Sequence, residues 1–211
     1  MPGRKQEIIA AALAIADEQG LAAVTMRAVA RRVGVTPMAL YSHIPGKEGL
    51  LDSMLGQLLS EIHLPPRDGP WEDRLTAIAI EARRMAKRHP GAAALTFSRP
   101  SVTPDAVCVV DAIYMALLDA GVPPPEVPRV ERLVSTLVLG YAASEANGRF
   151  SVGTLDPRAR RAQLPETELP GHALVVGWLE NSDWEGEFET DLRDLKHLVQ
   201  SLAERAQKTS R

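Results

Sequence analysis

With 211 residues, 45% of them hydrophobic, the chain suffices for one compact body or for a small domain carried by a larger one. Its single cysteine, Cys108, excludes an internal disulfide, and the lack of any run of 18 apolar residues argues against a transmembrane helix. The start, MPGRKQE, has no secretory apolar core, so a cytoplasmic protein is expected. The net charge of −3 conceals a split that suits a head facing phosphate on a body that does not: residues 1–50 hold six Lys/Arg against four Asp/Glu, residues 51–211 eighteen against twenty-three.

The first amphipathic pattern runs from Ile8 to Ala16 and ends at Gly20-Leu21. A second, Thr25 to Val33, opens with a capping hydroxyl, and its apolar positions Met26, Val29, Ala30 and Val33 turn Arg27, Arg31 and Arg32 outward. Gly34 can end that helix in the left-handed conformation, Thr36 caps the next, and Pro37 stands at a first helical position where no hydrogen bond is lost. Two short helices across a tight glycine-containing turn predict a helix-turn-helix, whose second helix enters the DNA major groove.

The remainder also reads as helix, because aromatics are few and alternating β-branched runs are absent. Leu50, Leu51, Met54, Leu55, Leu58, Leu59 and Ile62 mark one long helix, which ends at the linker 64–70. Helices are predicted over 71–89, 103–120, 126–149, 170–179 and 188–207, with a short apolar segment at 92–97 and a polar, Arg-rich connection at 151–168. Two of them, 126–149 and 188–207, carry wide apolar stripes, which suit either an ordinary internal core or a four-helix dimer interface.

The segment VTPMALYSHIPGKEGLL (residues 35–51) resembles the signature of the tetracycline-repressor-like (TetR) regulators, with Tyr41, His43, Ile44, Pro45-Gly46, Lys47-Glu48 and Leu50-Leu51 in the matching places. The resemblance is strong over residues 4–55; beyond them only the order of helices agrees. It implies an all-α fold: a three-helix head, residues 1–50, on a helical ligand-binding and dimerisation domain, residues 51–211. It also implies a dimeric regulator, foremost a repressor that binds a palindromic operator and is released by a small hydrophobic ligand. The alternative is a constitutive dimeric DNA-binding protein with no inducer. Arg27, Tyr41, His43 and Lys47 match the family's contact positions, whereas Ser42 stands where an aromatic is frequent.

Groove chemistry refines the roles of these residues. Thr25, Thr36, Pro37, Met38 and Ala39 line the leading turns, and the small or apolar side chains of the last four suit thymine methyls. Tyr41, His43 and Lys47 can reach phosphates, and Arg27 can fork onto a guanine. Leu40 and Ile44 should be the buried side of the recognition helix. For the ligand pocket the bulky or adaptable residues on the central helices are candidates: Met85, Leu95, Phe97, Tyr114, Met115, Tyr141 and Trp178, with hydrogen bonds from Tyr114, Tyr141 or Thr96.

No enzyme motif is present. Gly46-Lys47 lacks the glycine of a phosphate loop, and neither a His-Glu-x-x-His nor a Gly-x-Ser-x-Gly occurs. The histidines are scattered, Cys108 reads as a core thiol, and no metal, cofactor or membrane partner is expected.

Overall fold

The computed structural model describes residues 3–100, 102–150, 169–179 and 183–209, and contains no β-strand among them. Three helices, α1 (Arg4–Gln19), α2 (Met26–Val33) and α3 (Pro37–Tyr41), build the head. There follow α4 (Gly46–Ser60), α5 (Trp71–Arg88), the one-turn α6 (Leu95–Ser98), α7 (Pro104–Asp119), α8 (Val127–Ala146), α9 (Pro170–Leu179) and α10 (Trp184–Thr209). The fold is all-α, a helix-turn-helix head on a larger helical domain. The Arg-rich connection expected at 151–168 lies outside the described residues.

One helix belongs to both parts. α4 buries Leu50, Leu51, Met54, Leu55, Leu58 and Leu59 because α1 packs on it from the head and α7 from the body. Gly56 permits the second contact: a Cβ there would stand 2.9 Å from the Thr103 hydroxyl, which itself caps α7 by accepting from the Ala106 N–H at 3.3 Å. α5 lies along α8, and α7 packs on α5 and α8 as well as on α4. Val127, Val130, Val134, Val138 and Ala142 form the inward stripe of α8, and Phe188, Leu192, Leu195, Val199 and Ala203 that of α10.

Three local expectations change. α10 starts at Trp184 rather than Phe188, since Asp183 accepts from the Gly186 N–H at 3.1 Å and Glu185 and Glu187 favour the positive end of a helix. Cys108 is exposed, not core. The inward stripe of α7 is Ala106, Val109, Ile113, Ala116 and Leu117, and a thiol one residue before Val109 is turned to the other side. The third change is that α5 buries two arginines, Arg74 and Arg83, on its apolar side.

Arg83 is the polar centre of the body. Its Nε and Nη2 donate to both oxygens of Glu145 on α8, at 2.6 and 2.7 Å, and Nη1 donates to Glu185 on α10 at 2.9 Å. The guanidinium also lies 4.5 Å from the Phe188 ring centre and 5.5 Å from that of Tyr141. These bonds hold the guanidinium charged and keep Glu145 below the usual carboxylate range. Burial pushes the Tyr141 phenol up to about 12, against the opposing pull of Arg83, and its hydroxyl donates to the Trp184 carbonyl at 2.5 Å.

Head and body also meet end to end. His89, just past α5, places Nδ1 2.8 Å from Asp17 of α1 and Nε2 3.2 Å from Glu61 at the end of α4, where Arg88 also binds at 2.9 Å. With a carboxylate on each side, only a doubly protonated ring donates to both. Asp17 accepts in addition from the Gly91 N–H at 3.1 Å. No side chain fits at Gly91, since a Cβ would stand 1.9 Å from the Ala16 carbonyl oxygen. At the other end of α4, Arg99 donates to Glu48 and Asp52, both at 2.7 Å.

Two outcomes follow from these contacts. Because the folded pKa of Glu145 is depressed, its contribution is complete above the unfolded value, about 4.3, and fades as pH falls through the folded one. Glu145→Gln should lower the denaturation midpoint at pH 7 and flatten its loss as pH falls below about 4.3; equal acid slopes in both proteins would contradict the assignment. Gly91→Ala should destabilise by about 3 kcal/mol, the upper range for overpacking, because the obstructing atom is backbone. An unchanged urea midpoint would show that α1 and residue 91 do not touch.

Candidate functional site

The head presents one continuous exposed surface. Thr25 accepts from the Ala28 N–H at 3.1 Å and so fixes the first residue of α2. Gly34, at φ +76°, ends that helix, and the Val35 N–H returns to the Ala30 carbonyl at 3.0 Å. Thr36 then accepts from the Ala39 N–H at 3.3 Å, with Pro37 at the first helical position. α3 is anchored by Leu40 and Ile44, both with no exposed area. All other residues from Thr36 to His43 are exposed, including Met38 at 79% and Tyr41 at 54%.

All ten sequence candidates, Thr25, Arg27, Thr36, Pro37, Met38, Ala39, Tyr41, Ser42, His43 and Lys47, are exposed. Arg32 is occupied elsewhere, since both its Nη atoms donate to Glu18 of α1, at 2.6 and 2.5 Å. The Ser42 hydroxyl donates to the Ala39 carbonyl at 2.8 Å, which leaves it only acceptor capacity toward a partner. Lys47 projects from the first turn of α4, where Gly46 takes φ +78° close to Tyr41. The absence of a Cβ at Gly49 admits the Pro45 ring, which would otherwise stand 2.7 Å away. The turn between α3 and α4 is therefore short and stiff, and keeps Tyr41 and Lys47 together.

A second concavity lies in the body, a cavity of about 140 Å³. Leu59 and Ile62 line it from the end of α4, and Leu75, Ile78, Ala79 and Ala82 from α5. Thr96 comes from α6, Val109, Val110 and Ile113 from α7, and Glu131, Val134, Ser135, Val138 and Leu139 from α8. None of the seven candidates Met85, Leu95, Phe97, Tyr114, Met115, Tyr141 and Trp178 is in this wall; of the residues named from sequence only Thr96 is. Met85 and Leu95 are fully buried core, and Tyr114 and Met115 are half-buried on other sides of α7. Tyr141 belongs to the Arg83 cluster, while Phe97 and Trp178 are exposed, Trp178 at 77%. Size and aromatic character do not pick out this cavity wall. The wall is aliphatic, and the signal that finds it is helical phase: Leu75, Ile78, Ala79 and Ala82 share one face with Glu131, Val134, Ser135 and Val138 opposite.

Known proteins agree with both parts. The family model described as "Bacterial regulatory proteins, tetR family" matches residues 8–54, and "Tetracyclin repressor-like, C-terminal domain" matches residues 65–195. The chain belongs to the TetR family. A transcriptional regulator of helix-turn-helix type from Saccharopolyspora erythraea is 31% identical over 203 residues, covering 94% of this chain and 84% of the relative. The transcriptional repressor DrrR1 of Streptomyces coeruleorubidus is 33% identical over 166 residues, 76% of this chain and 62% of the repressor. Among solved structures, ActR of Streptomyces coelicolor in complex with actinorhodin superposes with a TM-score of 0.81 at 24% identity. The match covers 96% of this chain and 99% of ActR, and shows the shared fold.

This TetR-family chain is thus a DNA-binding transcriptional regulator and not an enzyme. Among the described residues no group of three or more His, Cys, Asp or Glu could hold a metal ion. No described helix is long and apolar enough to cross a membrane.

Outside the inward stripes, apolar residues remain on α8 and α10. Leu133 and Leu198 are exposed, with Leu137 and Leu202 half-covered. The expected dimer stripe therefore divides, with Leu195 facing into its own chain and Leu198 facing out. Leu133→Glu together with Leu198→Glu should leave the helical content intact while yielding a smaller species in sedimentation at micromolar concentration. A Leu195→Glu chain should lose stability instead. An unchanged sedimentation coefficient in the double variant would place any interface elsewhere.

Proposed function

We propose that the protein is a homodimeric repressor that binds a palindromic operator in double-stranded DNA and is released by a small, mostly apolar ligand. Residues 1–50 act as the DNA head and 51–211 as the ligand and dimer domain, with α4 running through the boundary. The observation that carries this reading is the head surface, where ten exposed candidates surround an α3 anchored by fully buried Leu40 and Ile44. In the dimer, the outer faces of α8 and α10 pair across a two-fold axis, so the half-sites must be two-fold related, their centres about 34–36 Å apart or a longer multiple. The protein acts in the cytoplasm, with access to DNA.

The body supports the ligand-responsive form over the constitutive one. Its cavity is lined by Leu59, on the helix that carries Lys47 at its other end, and by Ile62 just past that helix. A ligand there changes the position of α4 and hence the spacing of the two heads. ActR, which shares this fold, is seen with actinorhodin bound. Metal is not required, since among the described residues the cavity wall contains no histidine or cysteine and a single carboxylate.

Selection of duplexes from a random pool tests the reading and the contacts together. The unmodified chain should recover an inverted repeat. Lys47→Ala should weaken binding evenly across sequences, because its partner is a phosphate. Arg27→Ala should relax one base pair in each half-site by about 1–3 kcal/mol, the range of a forked guanine contact. Recovery of no symmetric sequence would sink the dimeric operator; a shift of preferred bases in Lys47→Ala alone would reverse the two roles.

A further inference from the structure

The polar groups of the cavity all present the same chemistry. Ser135 donates its hydroxyl proton to Glu131 Oε1 at 2.5 Å, one turn earlier on α8. Thr96 donates its own to the Ala93 carbonyl at 2.7 Å. Both hydroxyls are thereby left as acceptors toward the cavity, and an ionised Glu131 is acceptor only. Among the described residues no lysine, arginine or histidine lines the wall, and none forms an ion pair with Glu131. Among the described residues, the half-buried Glu131 carboxylate faces aliphatic side chains and is stabilised by Ser135, with no positive charge beside it.

We propose that the effector is a hydrophobic cation, an apolar body with a protonated amine that Glu131 receives and that the hydroxyls of Ser135 and Thr96 also accept from. The inference rests on the reading of this cavity as the effector site. An ammonium brings three donors and one positive charge to a wall of acceptors. An anionic effector would bring acceptors to acceptors and a second negative charge into an apolar enclosure. The volume sets the scale of the apolar part. About 140 Å³ is close to the roughly 150 Å³ of an engineered apolar cavity that takes up benzene, so one ring fills the cavity as it stands.

Three probes with one body and different charge test this: benzylamine, benzyl alcohol and benzoate, each titrated calorimetrically into the full chain at pH 7. The amine should bind at least about tenfold more tightly than the alcohol, the low end for a hydrogen bond to a charged group, and benzoate more weakly than either. Glu131→Gln should erase the advantage of the amine while retaining the alcohol. Benzoate binding as well as the amine, binding by none of the three, or an unchanged order in Glu131→Gln would each overturn the proposal. The ranking on the unmodified chain decides even where the variant does not fold. A second arm adds the selected operator duplex. If the amine binds in the predicted order but leaves the operator bound, the charge assignment stands and the effector reading fails. If the alcohol or benzoate releases the operator and the amine does not, the effector reading stands and the charge assignment falls.

Discussion

The close contact between Gly91 and the last turn of α1 is the constraint to which the molecule's working parts are referred. Backbone meets backbone there, so neither segment can slide without the other. Asp17 adds a bond to the Gly91 N–H and another to His89, and His89 passes the connection on to Glu61 at the end of α4. The head therefore hangs from the body at the far end of α1 and along α4, and not through a flexible linker. Interfaces packed this closely shift between discrete arrangements and do not deform by degrees. A small displacement at the cavity is thus carried to the DNA surface, not absorbed between the two.

The polar interactions divide the labour in the same way. Arg83 binds α5, α8 and α10 into one unit through Glu145, Glu185 and two aromatic rings, and that unit is the floor against which the cavity is built. Arg99 performs the matching task at the start of α4, where Glu48 and Asp52 flank the turn that presents Lys47. The first cluster is well shielded and the second is more open to solvent. Breaking the Arg83–Glu145 pair removes a shielded two-point contact but leaves Arg83 with Glu185 and Glu145 with Lys87, so the loss stays below the roughly 3–5 kcal/mol of a fully unpaired buried charge, whereas single exposed pairs contribute about 1 kcal/mol or less. The body is held as a unit more firmly than it is held to the head, which is the order of strengths a movable head needs.

Much of this was legible in the residues, for identifiable reasons. The head uses local chemistry: a hydroxyl before each helix, Pro37 at a first turn and Gly34 at a left-handed end all act within four or five residues of themselves. The helix boundaries and the burial of Leu40 and Ile44 followed from that alone. Resemblance in residues 4–55 could then assign roles to side chains whose orientation was already determined. The cavity obeys no local rule. It is space left between five helices, and its walls are mostly aliphatic residues, whereas Met85 fills the core instead. The charge on Arg83 concealed a position in phase with Ala79 and Ala86, and Cys108 showed the converse, an apolar-looking neighbourhood on an outward face. Phase, in both cases, outweighed residue type.

The geometry of α4 bears directly on how ligand and operator communicate. From Lys47 to Ser60 the helix is about 20 Å long at 1.5 Å per residue, with the cavity at one end and the exposed Lys47 at the other. Only differential affinity can move such a lever. A ligand that binds equally well in both arrangements of α4 shifts nothing, however tightly it binds. The ligand must therefore favour the arrangement that the operator disfavours, and by linkage the operator must weaken the ligand by the same factor. Leu59, in the last turn of α4, and Ile62, just past its end, are where that difference has to arise, because they are the parts of this segment that line the cavity. Their side chains are aliphatic and contribute by packing, so the apolar body of the ligand supplies the force on the helix. Glu131 is on α8 and has no share in α4, so in the proposed effector site it would orient the ligand without acting on that helix.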